Sequence, residues 1–324
     1  MIQDKIINFK FKKMSKKDIV FLIIFLLAIS FSVQLTLFNT HSGNEKLVYF
    51  KIEKGQRSLD ILDKLKDNDL INNKYFSYLY LKLRNIKIQP GVYYLYTNKS
   101  SKDNIIKISK GEIAEKKLTF IEGWRVEQYA QLLDKEEIVK YQDYIKIAKQ
   151  NEGKLYPDTY QIAIKTTPQD IVKKMLNNFD QKMNENKISP SQEDLIIASI
   201  VEREAKFDED RAVIAGVFKN RLKIGMALEA DPTIQYAKEN NQGKDDKYWQ
   251  ELEVGDISFD SIFNSYQNTG LPPSPICNPS IKSILAVVNY DKNDYLYFIH
   301  DKEGKVHFGK NINEHNANKQ KYLK

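Results

Sequence analysis

The sharpest change in polarity along the chain comes early. Residues 19–38, IVFLIIFLLAISFSVQLTLF, form an apolar run, and no charged side chain occurs between Asp18 and Glu45. At a rise of about 1.5 Å per residue such a run crosses the roughly 30 Å of a bilayer's hydrocarbon, so the pattern predicts a transmembrane helix. Residues 39–45, NTHSGNE, read as a polar linker. KLVYFKIEKGQ then alternates like a strand and stops at a glycine turn. SLDILDKLKDNDLI and NKYFSYLYLKLRN carry helical spacing, IQPGVYYLY returns to a strand after Pro-Gly, and SSKDNIIKISKGE reads as a capped helix. Residues 46–115 thus form a β-α-α-β-α unit. From KKLTFIEGWRVEQYAQLL onward, residues 116–324, helices alternate with long polar loops in one larger domain.

Within the larger domain the stretch DLIIASIVEREAK, residues 194–206, sets two glutamates beside an apolar run. Ahead of it, Ser189 can cap, Pro190 fits a first helical position and Gln192 completes a capping box, so the helix is expected to start at Pro190. At about 100° per residue, Ile196, Ile197, Ile200 and Val201 share one side. Glu204 falls among them, above Ile197, Ile200 and Val201. Glu202 falls nearly opposite, one turn before Lys206, and reads as a surface acid in water or in an ion pair. Burial disfavours a carboxylate, so Glu204 should hold its proton to higher pH and could serve as a general acid. A structural glutamate paired with Arg221 satisfies the same spacing.

Charge changes the picture mainly at the N-terminus. The net charge is +7, yet lysines and acids are interleaved and no arginine-rich, aromatic-laced run suggests a nucleic-acid groove. Lys5, Lys10, Lys12, Lys13, Lys16 and Lys17 precede the apolar run. They mark residues 1–18 as a cytoplasmic tail and put the rest of the chain outside the cytoplasm. The run is longer than a signal-peptide core and lacks a small-residue cleavage site, which favours an uncleaved, single-pass anchor. The single cysteine, Cys277, cannot form an internal disulfide. No G-x-G-x-x-G, Walker loop, C-x-x-C or H-E-x-x-H occurs, so no cofactor is expected. His300, His307 and His315 match no zinc spacing; no metal is expected, and His315 should pack or hydrogen-bond in the final helix.

The segments IEGW, EGKLYPDTY, ASIVEREA, VFKNRLKIGMALEADPTIQYA, FNSYQNTGLPPSPICNP, YLYFIHDKEGKVHF and EHN follow one another in this order. With them the chain resembles the endolytic murein transglycosylases of the YceG-like (MltG) family, over nearly its full length. The resemblance implies that Glu204, the second glutamate of ASIVE-x-E, is the catalytic acid. It also implies cleavage of the β-1,4 bond between N-acetylmuramic acid and N-acetylglucosamine inside nascent peptidoglycan strands, leaving 1,6-anhydromuramic ends. The expected fold class is α+β: a transmembrane helix, a small lysin-motif-like β-α-α-β module and a larger mixed α/β catalytic domain. The module could bind glycan or simply space the catalytic domain from the membrane.

Family-like motifs supply substrate-contact candidates: Asp158, Asn220, Arg221, Asp231, Thr233, Tyr236, Asn264 and Tyr266. Each has a plainer role open to it, Asp158 in a turn after Pro157 and Asp231-Pro232-Thr233 as a helix start. GLPPSPICNP holds four of the nine prolines and should make a stiff, extended groove wall. Tyr295, Tyr297 and Phe298 should lie in a hairpin turning at Gly304. Tyr156, Phe263, Ser265, Ser274, Ser280 and Glu229 depart from the family pattern, and Glu229 adds a charge near the cleft. The expected partners are peptidoglycan strands, the membrane and peptidoglycan synthases, with the chain a monomer. Two alternatives stay open: a non-catalytic glycan-binding scaffold, and a retaining glycosidase with Asp158 or Asp231 as second carboxylate.

Overall fold

The computed structural model describes residues 15–39, 45–164, 166–240 and 248–323. The basic tail up to residue 14 and linker residues 40–44 lie outside the described residues. The chain divides into two compact units between Glu115 and Lys116.

In the first unit, helix α1 (Lys16–Phe38) begins three residues before the apolar run. Ser15 sets that start: its hydroxyl accepts from the Asp18 amide at 3.2 Å, and the Asp18 carboxylate accepts from the Ser15 amide at 3.0 Å. The helix is long and apolar enough to cross a membrane. Its last turn leaves carbonyls without intrahelical donors. Asn72 Nδ2 donates to the carbonyls of Thr36 (3.0 Å) and Asn39 (3.2 Å), and Ser101 Oγ donates to Thr36 O at 3.2 Å. The helix end is therefore held by side chains of the small module.

That module runs β1 (Leu47–Ile52), α2 (Ser58–Asp67), α3 (Lys74–Leu83), β2 (Gly91–Tyr96) and α4 (Ser101–Lys110). The two strands pair antiparallel, Phe50 facing Tyr93. Alternate strand residues (Phe50, Ile52, Tyr93, Leu95) and the apolar stripes of the helices (Ile61, Leu62, Leu65, Leu81, Ile105, Ile108) close one core. Asn73 and Ser100 cap α3 and α4, and Gly111 in the left-handed region ends α4.

The second unit holds two cores. The first gathers β3 (Glu115–Thr119), α5 (Val126–Lys135), α6 (Tyr141–Ala148), β4 (Thr159–Ala163) and α7 (Pro168–Glu185), with β3 beside β4 in a two-stranded sheet. The second packs α8 (Gln192–Glu204), α9 (Arg211–Lys223), α10 (Asp231–Asn240) and α11 (Ile281–Val288) with the antiparallel hairpin β5 (Tyr297–His300) and β6 (Val306–Gly309). That hairpin turns at Gly304, whose φ is +88°. Helix α12 (Ile312–Tyr322) follows.

Helix α8 starts two residues later than the sequence suggested. The cap is Ser191, whose hydroxyl accepts from the Asp194 amide at 3.1 Å, and Asp194 closes the box on the Ser191 amide at 3.0 Å. A short aspartate at the third position serves as well as the glutamine box that Ser189 would need.

The second half of the proline-rich segment is a buried strut, while Pro273 in its first half is exposed. Residues 275–280 are all buried. Ile276 N donates to Ser199 Oγ on α8 at 3.0 Å. Asn278 Oδ1 accepts from the amides of Gly153 (2.9 Å) and Leu155 (3.1 Å), while its own amide donates to Trp124 O at 2.9 Å. Gly153, at φ +88°, sits so close that a Cβ there would fall 2.5 Å from Pro275 Cγ. The segment therefore stitches both cores of this unit together.

Candidate active site

Glu204 is the last residue of α8, and Ala205 closes the helix with its amide on Val201 O at 2.9 Å. Below it stand Ile197, Ile200 and Val201, all buried. The carboxyl keeps partial solvent access, and among the described residues it has no hydrogen-bond partner. Its pKa is pushed up to about 8: burial is the largest cause, the negative charge of Asp231 adds to it, and the cations of Arg221 and Arg203 oppose it. The partial negative charge at a helix C-terminus acts in the same direction as burial. The result is a reachable carboxyl still protonated at neutral pH, as a general acid requires.

Asp231, at the start of α10, is exposed and accepts the Tyr266 hydroxyl at 2.7 Å. Burial, together with Asp231, Glu204 and Glu229, raises the Tyr266 pKa, so the phenol stays a donor. The site thus pairs a neutral acid, Glu204, with an anion, Asp231, on two facing helix ends.

Arg221 does not pair with Glu204. It is buried at the end of α9, with Nε on Leu296 O (2.6 Å) and Nη1 on Leu228 O (2.8 Å) and on Glu229 Oε2 (3.1 Å). It braces the loop that leads to Asp231 and neutralises the charge that Glu229 brings. Glu229 itself sits at φ +49°.

Three other candidates, Thr233, Asn264 and Tyr236, lie in the interior, and a fourth, Asn220, is half-buried. Thr233 and Asn264 have no exposed surface. Thr233 Oγ1 donates to Ala230 O at 2.6 Å and meets Ser265 Oγ at 2.9 Å, and Asn264 Nδ2 ties the carbonyls of Ile257 (2.9 Å) and Phe259 (2.8 Å). Tyr236 is buried among Lys149, Glu152 and Arg125, its ring 4.0 Å from the Arg125 guanidinium. Asn220 Nδ2 reaches Asn293 O (2.9 Å) and Tyr295 O (3.0 Å). These residues sit in family-like motifs, and a motif does not distinguish a residue that holds the fold from one that faces the ligand.

Asp158 stands apart. It accepts from Asn178 Nδ2 at 2.9 Å and from the Thr159 amide at 2.7 Å, and it is not among the charges acting on Glu204. Of the two carboxylates considered as a second acid, the structure brings only Asp231 to Glu204.

Glu202 corrects the surface reading. Its side chain is 8% exposed and faces Arg211 at 3.5 Å. It accepts from the Ser280 amide (2.8 Å) and hydroxyl (2.6 Å), at the N-cap of α11. The sequence reading also missed Arg203, whose guanidinium lies 4.3 Å from the Trp249 ring centre. The only sequence signal for it was adjacency to Glu204. His307 stacks on Tyr322 and His315 on Tyr297, both as packed rings.

Similarity to known proteins follows the same lines. The chain is 33% identical over 313 residues to an endolytic murein transglycosylase of Bacillus subtilis, covering 85% of each. It is 29% identical over 324 residues to one from Streptococcus pneumoniae, covering 86% of this chain and 58% of that longer protein. A crystal structure of a YceG-like protein from Listeria monocytogenes superposes with a TM-score of 0.53 at 29% identity, over 85% of this chain and 99% of that one. The YceG-like family profile matches residues 50–321. On these grounds the chain belongs to the YceG-like family.

Proposed function

We propose that the protein is a murein transglycosylase that cuts peptidoglycan glycan strands from within by a non-hydrolytic route, with Glu204 as its acid and then its base. The observation that carries this reading is a solvent-reachable carboxyl with a pKa near 8 facing an anionic aspartate. The names of the Bacillus and Streptococcus relatives support the substrate class.

In this mechanism the Glu204 proton passes to the glycosidic oxygen between N-acetylmuramic acid and N-acetylglucosamine. The C1–O bond breaks, and C1 is left with oxocarbenium character. The Glu204 carboxylate then takes the proton of the muramic C6 hydroxyl as O6 bonds to C1. The proton count on Glu204 is restored, no water is consumed, and a 1,6-anhydro end remains. Because the sugar brings its own nucleophile, one acid–base suffices where glycosidases need a second carboxylate for water or covalent attack. Asp231, held in place by the Tyr266 hydroxyl, stabilises the positive charge at C1.

Helix α1 anchors the enzyme in the cytoplasmic membrane with the catalytic unit outside, near nascent strands. The small module is lysin-motif-like. Its groove of about 440 Å³ between the β1–α2 and α3–β2 loops, lined by Lys54, Gln56, Asn85 and Ile88, binds glycan.

The test is mass spectrometry of fragments that the full-length chain and its Glu204→Gln form release from peptidoglycan. Anhydro ends from the parent alone are expected. Reducing ends would instead assign Asp231 as a second catalytic carboxylate and make the enzyme a hydrolase. No fragments from a folded parent would leave a glycan-binding scaffold.

A further inference from the structure

A second groove lies in the catalytic unit, away from Glu204 itself. It measures about 560 Å³ and is open along one side, with Trp124, Tyr141 and Tyr248 as aromatic walls and Gln128, Gln131 and Asp134 among them. The three residues are half-buried and line the groove. They are held in place beforehand. Trp124 carries its backbone on Asn278, which donates to its carbonyl from the main chain (2.9 Å) and from Nδ2 (3.2 Å). Its ring lies 6.3 Å from that of Tyr129 in the core. Tyr141 and Tyr248 are hydrogen-bonded to each other.

Two bridges join this groove to the candidate active site. Trp249 covers Arg203, the neighbour of Glu204, and its Nε1 donates to Gln128 Oε1 at 3.3 Å in the groove wall. Gly123, at φ +73°, lets the chain run against the same arginine: a Cβ there would sit 3.2 Å from Arg203 Nη1, and the next residue is Trp124. One side-chain layer therefore separates the groove from the helix that presents Glu204.

We propose that this aromatic groove is a saccharide subsite that holds an N-acetylhexosamine unit of the same glycan strand, distant from the bond being cut. The inference rests on the murein reading above. A pyranose ring offers apolar C–H faces, which stack on aromatic faces, and a rim of hydroxyl and acetamido groups. The Gln131 amide can both donate to and accept from that rim, and Gln128, whose Oε1 already accepts from Trp249 and Arg125, can donate to it. The subsite grips the strand beyond the reacting sugars and so favours long strands over short ones.

The test uses the full-length Glu204→Gln chain, which binds without turnover, titrated with peptide-free glycan strands. Its two tryptophans, Trp124 and Trp249, lie in and behind the groove, so their fluorescence reports occupancy. Added Tyr141→Ala or Gln131→Ala should each weaken binding, Tyr141→Ala by about tenfold, and Gln131→Ala should do so with thermal melting near that of the parent. Gln131 lies partly exposed on a helix surface, so its removal spares the core. Unchanged affinity in both variants, or no fluorescence response to strands at all, would overturn the subsite. Failure of the murein reading would show separately, as a parent enzyme that releases no fragments.

Discussion

Glu204 and Glu202 are two residues apart, and their neighbours make them opposites. The spacing of Ile197, Ile200 and Val201 was enough to seat Glu204 on an apolar face, because a helix places residues three, four and seven apart in one stripe. The same wheel sent Glu202 to the surface and was wrong, since a wheel records only its own helix and not the α11 N-cap and Arg211 that close over it. Asp231 and Tyr266 meet across 35 residues, a pairing no local pattern contains. Their chemistry gives a pH prediction. Protonated Glu204 is the active form, so kcat/KM should fall above about pH 8. Asp231 raises that pKa, so Asp231→Asn should move the descending limb to lower pH, whatever it does to the maximal rate. An unmoved limb would mean that another group sets it. Linkage gives a second expectation. Glu204 has a folded pKa near 8 against 4.5 for the free side chain. Its stabilising contribution is therefore complete below pH 4.5 and is lost as pH rises through 8. Melting temperatures of the parent and of Glu204→Gln should diverge over that window, with the glutamine form losing less at the alkaline end.

At the scale of elements, boundaries were readable where local chemistry sets them and were misplaced where two residues compete. Ser189 and Ser191 both precede the apolar run, and only the pairing of Ser191 with Asp194 makes the box. Gly304 fixed the hairpin because its φ of +88° is open to glycine at little cost. The proline-rich strut was legible as stiff but not as buried, since its partners Ser199, Gly153 and Trp124 are distant in sequence. These differences predict unequal costs. Ser191→Ala removes an exposed cap and should cost about 1 kcal/mol. Asn278→Ala leaves the Gly153 and Leu155 amides buried without an acceptor, at about 1–3 kcal/mol each. Denaturant titration should rank the second well above the first, and equal losses would remove the strut from the account.

Across the whole molecule, the chain divides into two compact units between Glu115 and Lys116, and changes of hydrophobic period are the only sign of such divisions that a sequence carries. The sequence did not carry which motif residues face outward. Thr233, Tyr236 and Asn264 read as site residues and are interior, since burial comes from the assembly of elements rather than from any one of them. If α1 holds the chain in a bilayer, the full-length protein should fractionate with membranes and a form starting at residue 45 should not. Recovery of the shortened form in the membrane fraction would assign the attachment elsewhere. The hydrogen bonds from Asn72 and Ser101 onto the end of α1 carry a mechanical consequence. A helix whose exit is clasped by the module cannot act as a swivel. Any tilt or rotation of α1 about its own axis is passed to the small module as torque, so the module takes its bearing from the helix instead of hanging on a loose leash.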